Sequence, residues 1–310
     1  MDEQAVSLLG DVVLVTGAGR GIGRAHALLA AERGARVVVN DAGVSLDGGD
    51  GESPAESVAN EIREAGGEAL VSTHRIDDSA AASELVASTI DEFGRVDAVI
   101  HNAGILRDRT LHSLSDDDIE QVLAVHLVGA FNVLRPAVAQ MREQRYGRVV
   151  LTASASGLLG NFGQSNYGAA KMGLVGLMNV LAAEGASRNI LVNTIAPSAR
   201  TRMTEDLLGG LADALDPAHV APLAVYLSSR QSEVNREIFS VGGGRYARFF
   251  IGVAPGWCSG ADQVASVDDI AANLGDIRSL DGYVVPESTA PEFEFLRAAV
   301  SADGPGPVLR

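Results

Sequence analysis

Short β-branched runs alternate with helix-length amphipathic segments along this chain, and that alternation most narrows what it can fold into. The apolar runs fall at residues 12–16, 36–40, 69–73, 96–101, 149–152, 190–195 and 238–241. Between them, residues 22–34, 55–65, 80–93, 116–143 and 167–188 repeat apolar positions at helical spacing. Strands separated by helices need crossover connections, which build a parallel sheet covered on both faces. Uniformly apolar runs fit strands buried on both sides. The expectation is a doubly wound α/β fold: seven parallel strands in three α/β/α layers.

The first run leads into Thr16-Gly17-Ala18-Gly19-Arg20-Gly21-Ile22-Gly23. Glycines at 17, 21 and 23 permit a tight turn and a close backbone approach to a pyrophosphate. The helix that follows offers free N–H groups to such an anion. Lying between a strand and a helix, the loop has the context a Rossmann-like dinucleotide site requires. Gly17, Arg20, Gly21, Ile22 and Gly23 are therefore candidate cofactor-binding residues. Asp41 ends the second strand, 24 residues after Gly17. A carboxylate there accepts hydrogen bonds from an adenine ribose and repels a 2′-phosphate, which favours NAD over NADP. Arg20 pulls the other way. Asp77 and Asn102-Ala103-Gly104 follow the third and fourth strands, at the sheet edge where such folds bind ligands. Asp77 is placed to meet the adenine, and Asn102 either ties strands together or contacts the cofactor.

Residues 148–171 carry the chemistry. Tyr167 and Lys171 are four residues apart in the first turns of a helix, so they share a face. Ser154 precedes Tyr167 by thirteen residues, at a strand end, with Ser156 as the competing hydroxyl. Hydroxyl, phenol and ammonium can meet at one carbonyl oxygen. A free phenol has a pKa near 10 and is a poor base at neutral pH; a neighbouring ammonium favours the phenolate. Ser154, Tyr167 and Lys171 are the candidate catalytic residues, Ser154 steadying the substrate oxygen.

After Gly244 the strand–helix rhythm is lost. Residues 1–244 are expected to form the dinucleotide-binding catalytic domain. Residues 245–310 form an extension, with a helix near 267–274, that packs on the same or a neighbouring subunit. The 24 Lys+Arg against 40 Asp+Glu leave a charge of −16, which argues against a nucleic-acid partner or a basic membrane-binding face. One cysteine, Cys258, cannot form an internal disulfide and suits a reducing compartment. The acidic N-terminus does not read as a secretory signal, and no unbroken apolar run is long enough to cross a bilayer. A cytoplasmic protein is expected. His26, His74, His112 and His219 lack metal-ligand spacing, so no metal is expected. Segments 116–143 and 167–188 are apolar on more than one face, which points to a homodimer or homotetramer.

TGAGRGIG at 16–23, NAG at 102–104, Ser154, Tyr167-x-x-x-Lys171 and the loop at Pro197 together resemble the short-chain dehydrogenase/reductase family, over about residues 8–244. NDAG at 40–43, NAGILRDR at 102–109, TASASG at 152–157, GNFGQSNYGAAK at 160–171 and IAPSARTRMTE at 195–205 carry a narrower likeness. They are similar to the (3R)-hydroxyacyl-CoA dehydrogenases found within type 2 peroxisomal multifunctional enzymes and in stand-alone actinobacterial relatives. The resemblance implies NAD-dependent oxidation of a 3-hydroxyacyl-CoA or a steroid alcohol, so the expected partner is a small acyl-CoA or steroid. It also implies that Tyr167 and Lys171 bind the cofactor, Lys171 through the nicotinamide ribose, that the Ile195 backbone and the Thr201 hydroxyl meet the carboxamide, and that Pro197 belongs to the same cofactor-binding loop. Arg107, Arg109, Arg200 and Arg202 are candidates for a CoA phosphate. The family's usual Asn in the helix after strand four is His126 here, and His101 replaces the first Asn of Asn-Asn-Ala-Gly. Two other readings remain open: an NADPH-dependent ketoacyl or polyketide-type reductase, and a non-catalytic dinucleotide sensor.

Overall fold

Val and Ile crowd the strands because a pleated backbone gives their branched side chains room and neighbours on both faces. The computed structural model describes residues 5–43, 53–199, 215–260, 262–301 and 306–307. Seven strands pair in parallel: β1 (Val12–Thr16), β2 (Arg36–Asn40), β3 (Glu68–Ser72), β4 (Ala98–His101), β5 (Gly147–Thr152), β6 (Ile190–Pro197) and β7 (Ile238–Gly242). An eighth, β8 (Arg245–Phe249), joins the edge beside β7, in the order β3-β2-β1-β4-β5-β6-β7-β8. β8 was not expected. Gly243 and Gly244, at φ 55° and 77°, make the two-residue turn leading into it, and positive φ at both central residues is what a tight hairpin needs.

The helices cover both faces. On one, α1 (Gly21–Glu32) packs with α2 (Pro54–Glu64) and α8 (Ala221–Leu227). On the other lie α3 (Ser79–Phe93), α4 (Asp116–Leu123), α5 (Gly129–Gln144) and α7 (Ser165–Gly185). Ala27, Ala30, Val58, Ile62 and Ala224 close over Val13, Val15, Val37 and Val39 with no exposure above 2%. Burying such an aliphatic side chain stabilises the fold by about 1.5–3 kcal/mol.

Two local features differ from the sequence pattern. The 116–143 segment is not one uniform α-helix: a π-helical turn, Ala124–Val128, separates α4 from α5. The stretch after β5 is not all loop, since α6 (Ala155–Leu159) forms with Ser154 as its N-cap. By length and composition, Asp116–Gln144 also passes as a membrane span, with a mean hydropathy of 1.6 over its most apolar window. Counting unbroken apolar runs misses it, because Asn132 and Arg135 interrupt the run. The helix packs against α3 and the central strands.

The chain divides into two compact units, residues 1–248 and 249–310. The second holds β9 (Trp257–Cys258) antiparallel to β10 (Gly306–Pro307), and α9 (Val267–Ala272), α10 (Leu274–Ile277) and α11 (Ala290–Val300). The helix expected near 267–274 is thus two short ones, and α11 is additional. None of the three buries a residue.

Candidate active site

The strand order reverses between β1 and β4, and in such sheets ligands bind at the carboxyl ends of the strands beside that switch point. A cleft of about 890 Å³ opens there. Its floor is the β1–α1 loop locked against the segment after β4. Thr16 Oγ1 accepts the backbone N–H of Asn102 at 3.1 Å and of Ala103 at 3.2 Å. Asn102 Nδ2 donates to the Gly17 carbonyl at 3.2 Å, so its side chain ties the two strand ends together. A Cβ on Gly17 would stand 2.7 Å from Ala103 Cα, and one on Gly23 would stand 2.0 Å from the Gly17 oxygen. Only glycine allows this approach.

Gly17, Arg20, Gly21 and Ile22 line the cleft, whereas Gly23 packs beneath them. Ser53, Asp78 and Ser115 cap α2, α3 and α4 through their side chains, yet no side chain caps α1. Its first-turn N–H groups are left for an anion. Asp41 stands at the rim: Oδ2 accepts from Gly19 N–H at 3.0 Å and Oδ1 from Gly43 N–H at 2.8 Å. Each carboxylate oxygen keeps a lone pair for a ribose hydroxyl. Asp77 lines the cleft in an ion pair with Arg75. Ala103, Gly104 and Pro197 also line it. The cradle, the uncapped helix and the rim carboxylate fit a nicotinamide dinucleotide. Thr201, Arg200 and Arg202 lie outside the described residues.

Ser154, Tyr167 and Lys171 meet on the same cleft. Ser154 Oγ accepts the Ser156 N–H at 3.1 Å, which caps α6 and leaves the hydroxyl hydrogen to donate. Ser154 hydrogen-bonds the Tyr167 phenol, whereas Ser156 supplies the backbone that orients Ser154. Lys171 Nζ lies 5.5 Å from the Tyr167 ring centre and donates to the Thr152 carbonyl at 2.5 Å. Its other two N–H donors have no partner among the described residues.

Burial dominates the electrostatics. Desolvation pushes Lys171 down to about 7 and holds the Tyr167 phenol above its ordinary value. The Ser154 hydrogen bond opposes the latter shift and the Asp108 carboxylate adds to it. Burial is thus the largest influence on the phenol, ahead of any neighbouring charge. The lysine is too buried to hold its charge firmly, and it is turned to Thr152.

The two unexpected histidines interlock. His101 Nε2 donates to the His126 carbonyl at 3.1 Å, while Thr16 Oγ1 faces His101 Nδ1 at 3.4 Å. His126 Nε2 lies 2.8 Å from the Ile105 carbonyl, and its Nδ1 is buried with no partner among the described residues. Its ring meets the Tyr167 ring edge-on, centres 5.2 Å apart. A Cβ on Gly104 would lie 2.2 Å from His126 Cε1, so Gly104 makes room for the imidazole. Burial lowers His101 to about 4 and His126 well below its usual value; both are neutral. The π-helical turn supplies the register that brings His126 inward, as such turns often do at functional sites.

The wall beside Tyr167 contains a residue that spacing did not flag. Asp108 Oδ2 accepts from Gln164 Nε2 at 2.6 Å. Gln164 and Asn161 line the cleft, as do Arg107 and Gln121. Arg107 donates to Gln121 at 3.1 Å, and Arg109 pairs with Asp118 at 3.3 Å. Asp108 lies within the NAGILRDR run at 102–109, but the run itself does not single it out; its bond across 56 residues gives it a place at the site. Among the described residues no cluster of three metal-ligating side chains forms.

A strand–Gly loop–helix cradle facing a Ser–Tyr–Lys cluster defines a nicotinamide-dependent oxidoreductase of the short-chain class. Residues 11–209 match the short chain dehydrogenase family, and the chain belongs to it. It is 52% identical over 237 residues to mouse peroxisomal multifunctional enzyme type 2, covering 76% of this chain and 32% of that one, so it spans about a third of that protein's length. Hydroxyacyl-CoA dehydrogenase ChsB1 of Mycobacterium tuberculosis is 40% identical over 252 residues, 76% of this chain and 78% of that one. The crystal structure of a short chain dehydrogenase from Mycobacterium avium matches with a TM-score of 0.79 at 42% identity, covering 88% of this chain and 98% of that chain.

Proposed function

We propose that the protein is an NAD-dependent dehydrogenase that converts the 3-hydroxyl of an acyl-CoA to a ketone, or the reverse, with Tyr167 as general base and acid. The observation that carries the reading is the Ser154–Tyr167–Lys171 cluster opening onto the dinucleotide cradle. When bound, oxidised nicotinamide would supply the two-electron acceptor for the carbinol hydrogen. Ser154 donates to the substrate oxygen and holds it against Tyr167. Tyr167 takes the hydroxyl proton as the carbinol C–H bond breaks. The free N–H groups of Lys171 would hold the cofactor ribose, beside the Tyr167 ring. His126 packs edge-on against the phenol ring and excludes water from it.

Asp41 supports NAD, since its carboxylate already faces the end of the glycine loop through Gly19. Arg20, on the same cleft, supports the second reading, an NADPH-dependent reductase. The acyl-CoA assignment draws on the hydroxyacyl-CoA dehydrogenase relative, with a hydroxysteroid as the alternative alcohol. Val128, Phe131, Met172 and Val180 leave α5, α7 and the π-helical turn with exposed apolar positions. They support a homodimer or homotetramer, and the single cysteine supports a cytoplasmic setting. The test is a rate screen with NAD and NADP over straight-chain 3-hydroxyacyl-CoAs and free hydroxysteroids. NAD reduction with the acyl-CoAs is expected; turnover confined to NADP would overturn the cofactor assignment, and turnover confined to steroids the substrate assignment.

A further inference from the structure

Gln164 is 6% exposed, yet it is a wall of the cleft that holds Tyr167 and Ser154. Its amide is held from both sides. Asp108 Oδ2 takes one hydrogen of Nε2 at 2.6 Å, and Asn161 Nδ2 donates to Oε1 at 3.0 Å. An ionised carboxylate only accepts, so the atom facing Asp108 is the nitrogen; the Asn161 bond is consistent with the same orientation. The backbone holds this arrangement. The 161–164 turn is closed by Gln164 N–H to the Asn161 carbonyl at 3.3 Å, with Gly163 at φ 77° where such a turn favours glycine. Gln164 also bridges Arg109 through the backbone, and Asn166 Nδ2 donates to the Arg107 and Asp118 carbonyls at 3.1 Å each. The wall is thus stitched to the segment after β4 and to the start of α4.

One amide hydrogen and one carbonyl lone pair of Gln164 have no partner among the described residues. A buried amide in this state favours a ligand with a matching acceptor or donor, because leaving it unmatched costs free energy. A 3-hydroxyacyl thioester carries a carbonyl acceptor two carbons from the reacting carbinol, whereas a hydroxysteroid carries none beside its alcohol. We propose that Gln164 reads the substrate's thioester carbonyl through its free Nε2–H, with Asp108 and Asn161 as positioning residues that prevent the amide from turning over. The assignment rests on the acyl-CoA reading above and makes Gln164 the residue that separates acyl thioesters from plain secondary alcohols.

The test uses Gln164→Met, which keeps length and removes the donor, and two ligands. One is a 3-hydroxyacyl-CoA as substrate. The other is its thioether analogue, with CH2 in place of the carbonyl, as a competitive inhibitor. The assignment expects kcat/KM for the thioester to fall roughly 10- to 100-fold, as for loss of a buried hydrogen bond, with the thioether Ki within about 3-fold of the unaltered protein. Asp108→Ala should reproduce the fall, and Asp108→Asn, which keeps an acceptor, should recover most of it. A parallel loss for both ligands would reduce Gln164 to a structural wall and overturn the assignment, as would an unchanged thioester rate. If the unaltered protein oxidises no 3-hydroxyacyl-CoA, the functional reading itself fails, and this assignment with it.

Discussion

The two edges of the sheet differ in how their buried ionisable groups are partnered. At the amino ends of the strands, Asp97 is fully buried and takes Arg95 at 2.7 and 2.5 Å, Arg230 at 3.2 Å and the Val12 N–H at 2.9 Å. Asp11 takes Arg230 at 2.9 and 2.6 Å. The Arg148 and Arg230 guanidiniums both lie over the Tyr146 ring, at 4.5 and 4.2 Å, and Arg148 donates only to carbonyl-type oxygens, including those of Ser229, Asn189 and Ser232. Asp11 and Asp97 there are paired with guanidiniums, although burial still raises Asp11 and lowers Arg148, and Tyr146 Oη and Ser232 Oγ are buried with no partner among the described residues. At the carboxyl ends, by contrast, Lys171 has one acceptor, His126 Nδ1 has none among the described residues, and burial drives both toward neutrality. One edge pairs its carboxylates with guanidiniums inside the protein; the other turns a lysine and a histidine without a charged partner toward a cleft. Perturbed groups in a cleft are the usual signature of a functional site.

The largest contrast is expected at Lys171. Lys171→Met should cut turnover roughly 10³-fold, within the range for losing acid–base machinery, while raising stability by about 1–2 kcal/mol near pH 7, because a buried cation with one partner is removed. The gain should shrink as pH rises. Between about 7 and the ordinary 10.5 of lysine, the unfolded chain binds a proton that the native state does not, so the unaltered protein becomes relatively more stable. Urea titrations at two pH values measure this, and a destabilised Lys171→Met would break the comparison. At the opposite edge, Asp97→Ala should lower stability by about 2–3 kcal/mol, moderated because Arg95 and Arg230 can hydrate. Its kcat should be unchanged, as steady-state kinetics on the folded protein will show.

His101 offers a smaller test. Its folded pKa, near 4, lies below the ordinary 6.5, so the unfolded chain binds more protons between those values and stability falls as pH drops through that window. Each such histidine contributes about 1.4 kcal/mol per pH unit. His101→Asn should lose about 1–2 kcal/mol less than the unaltered protein between pH 6.5 and 5; an identical acid limb would show that His101 is not buried neutral. Smallest is the cofactor effect. Asp41→Asn should weaken NAD binding roughly 10-fold, the worth of one charge-assisted hydrogen bond, and narrow the gap to NADP in fluorescence titrations.

What the sequence made legible was local and periodic. The seven parallel strands, the glycine loop, the Tyr167–Lys171 pair and Ser154 at a strand end all follow from spacing that one element reports by itself. Three features escaped it. The π-helical turn at Ala124–Val128 lies in a run whose apolar periodicity continues through it. β8 reads as tail because Gly243-Gly244 signals an end of rhythm as readily as a hairpin. The Asp108–Gln164 bond joins two loops 56 residues apart, and no periodicity records such a pairing. Nor does helix spacing report burial, which shifts both Tyr167 and Lys171 toward their neutral forms.

The most direct test is NAD reduction with a 3-hydroxyacyl-CoA by the unaltered protein and by Tyr167→Phe, with NAD affinity measured in parallel. The account predicts turnover by the first, a loss of roughly 10³-fold in the second, and NAD binding weakened by no more than about 10-fold, the worth of one hydrogen bond. Full turnover by Tyr167→Phe would contradict it.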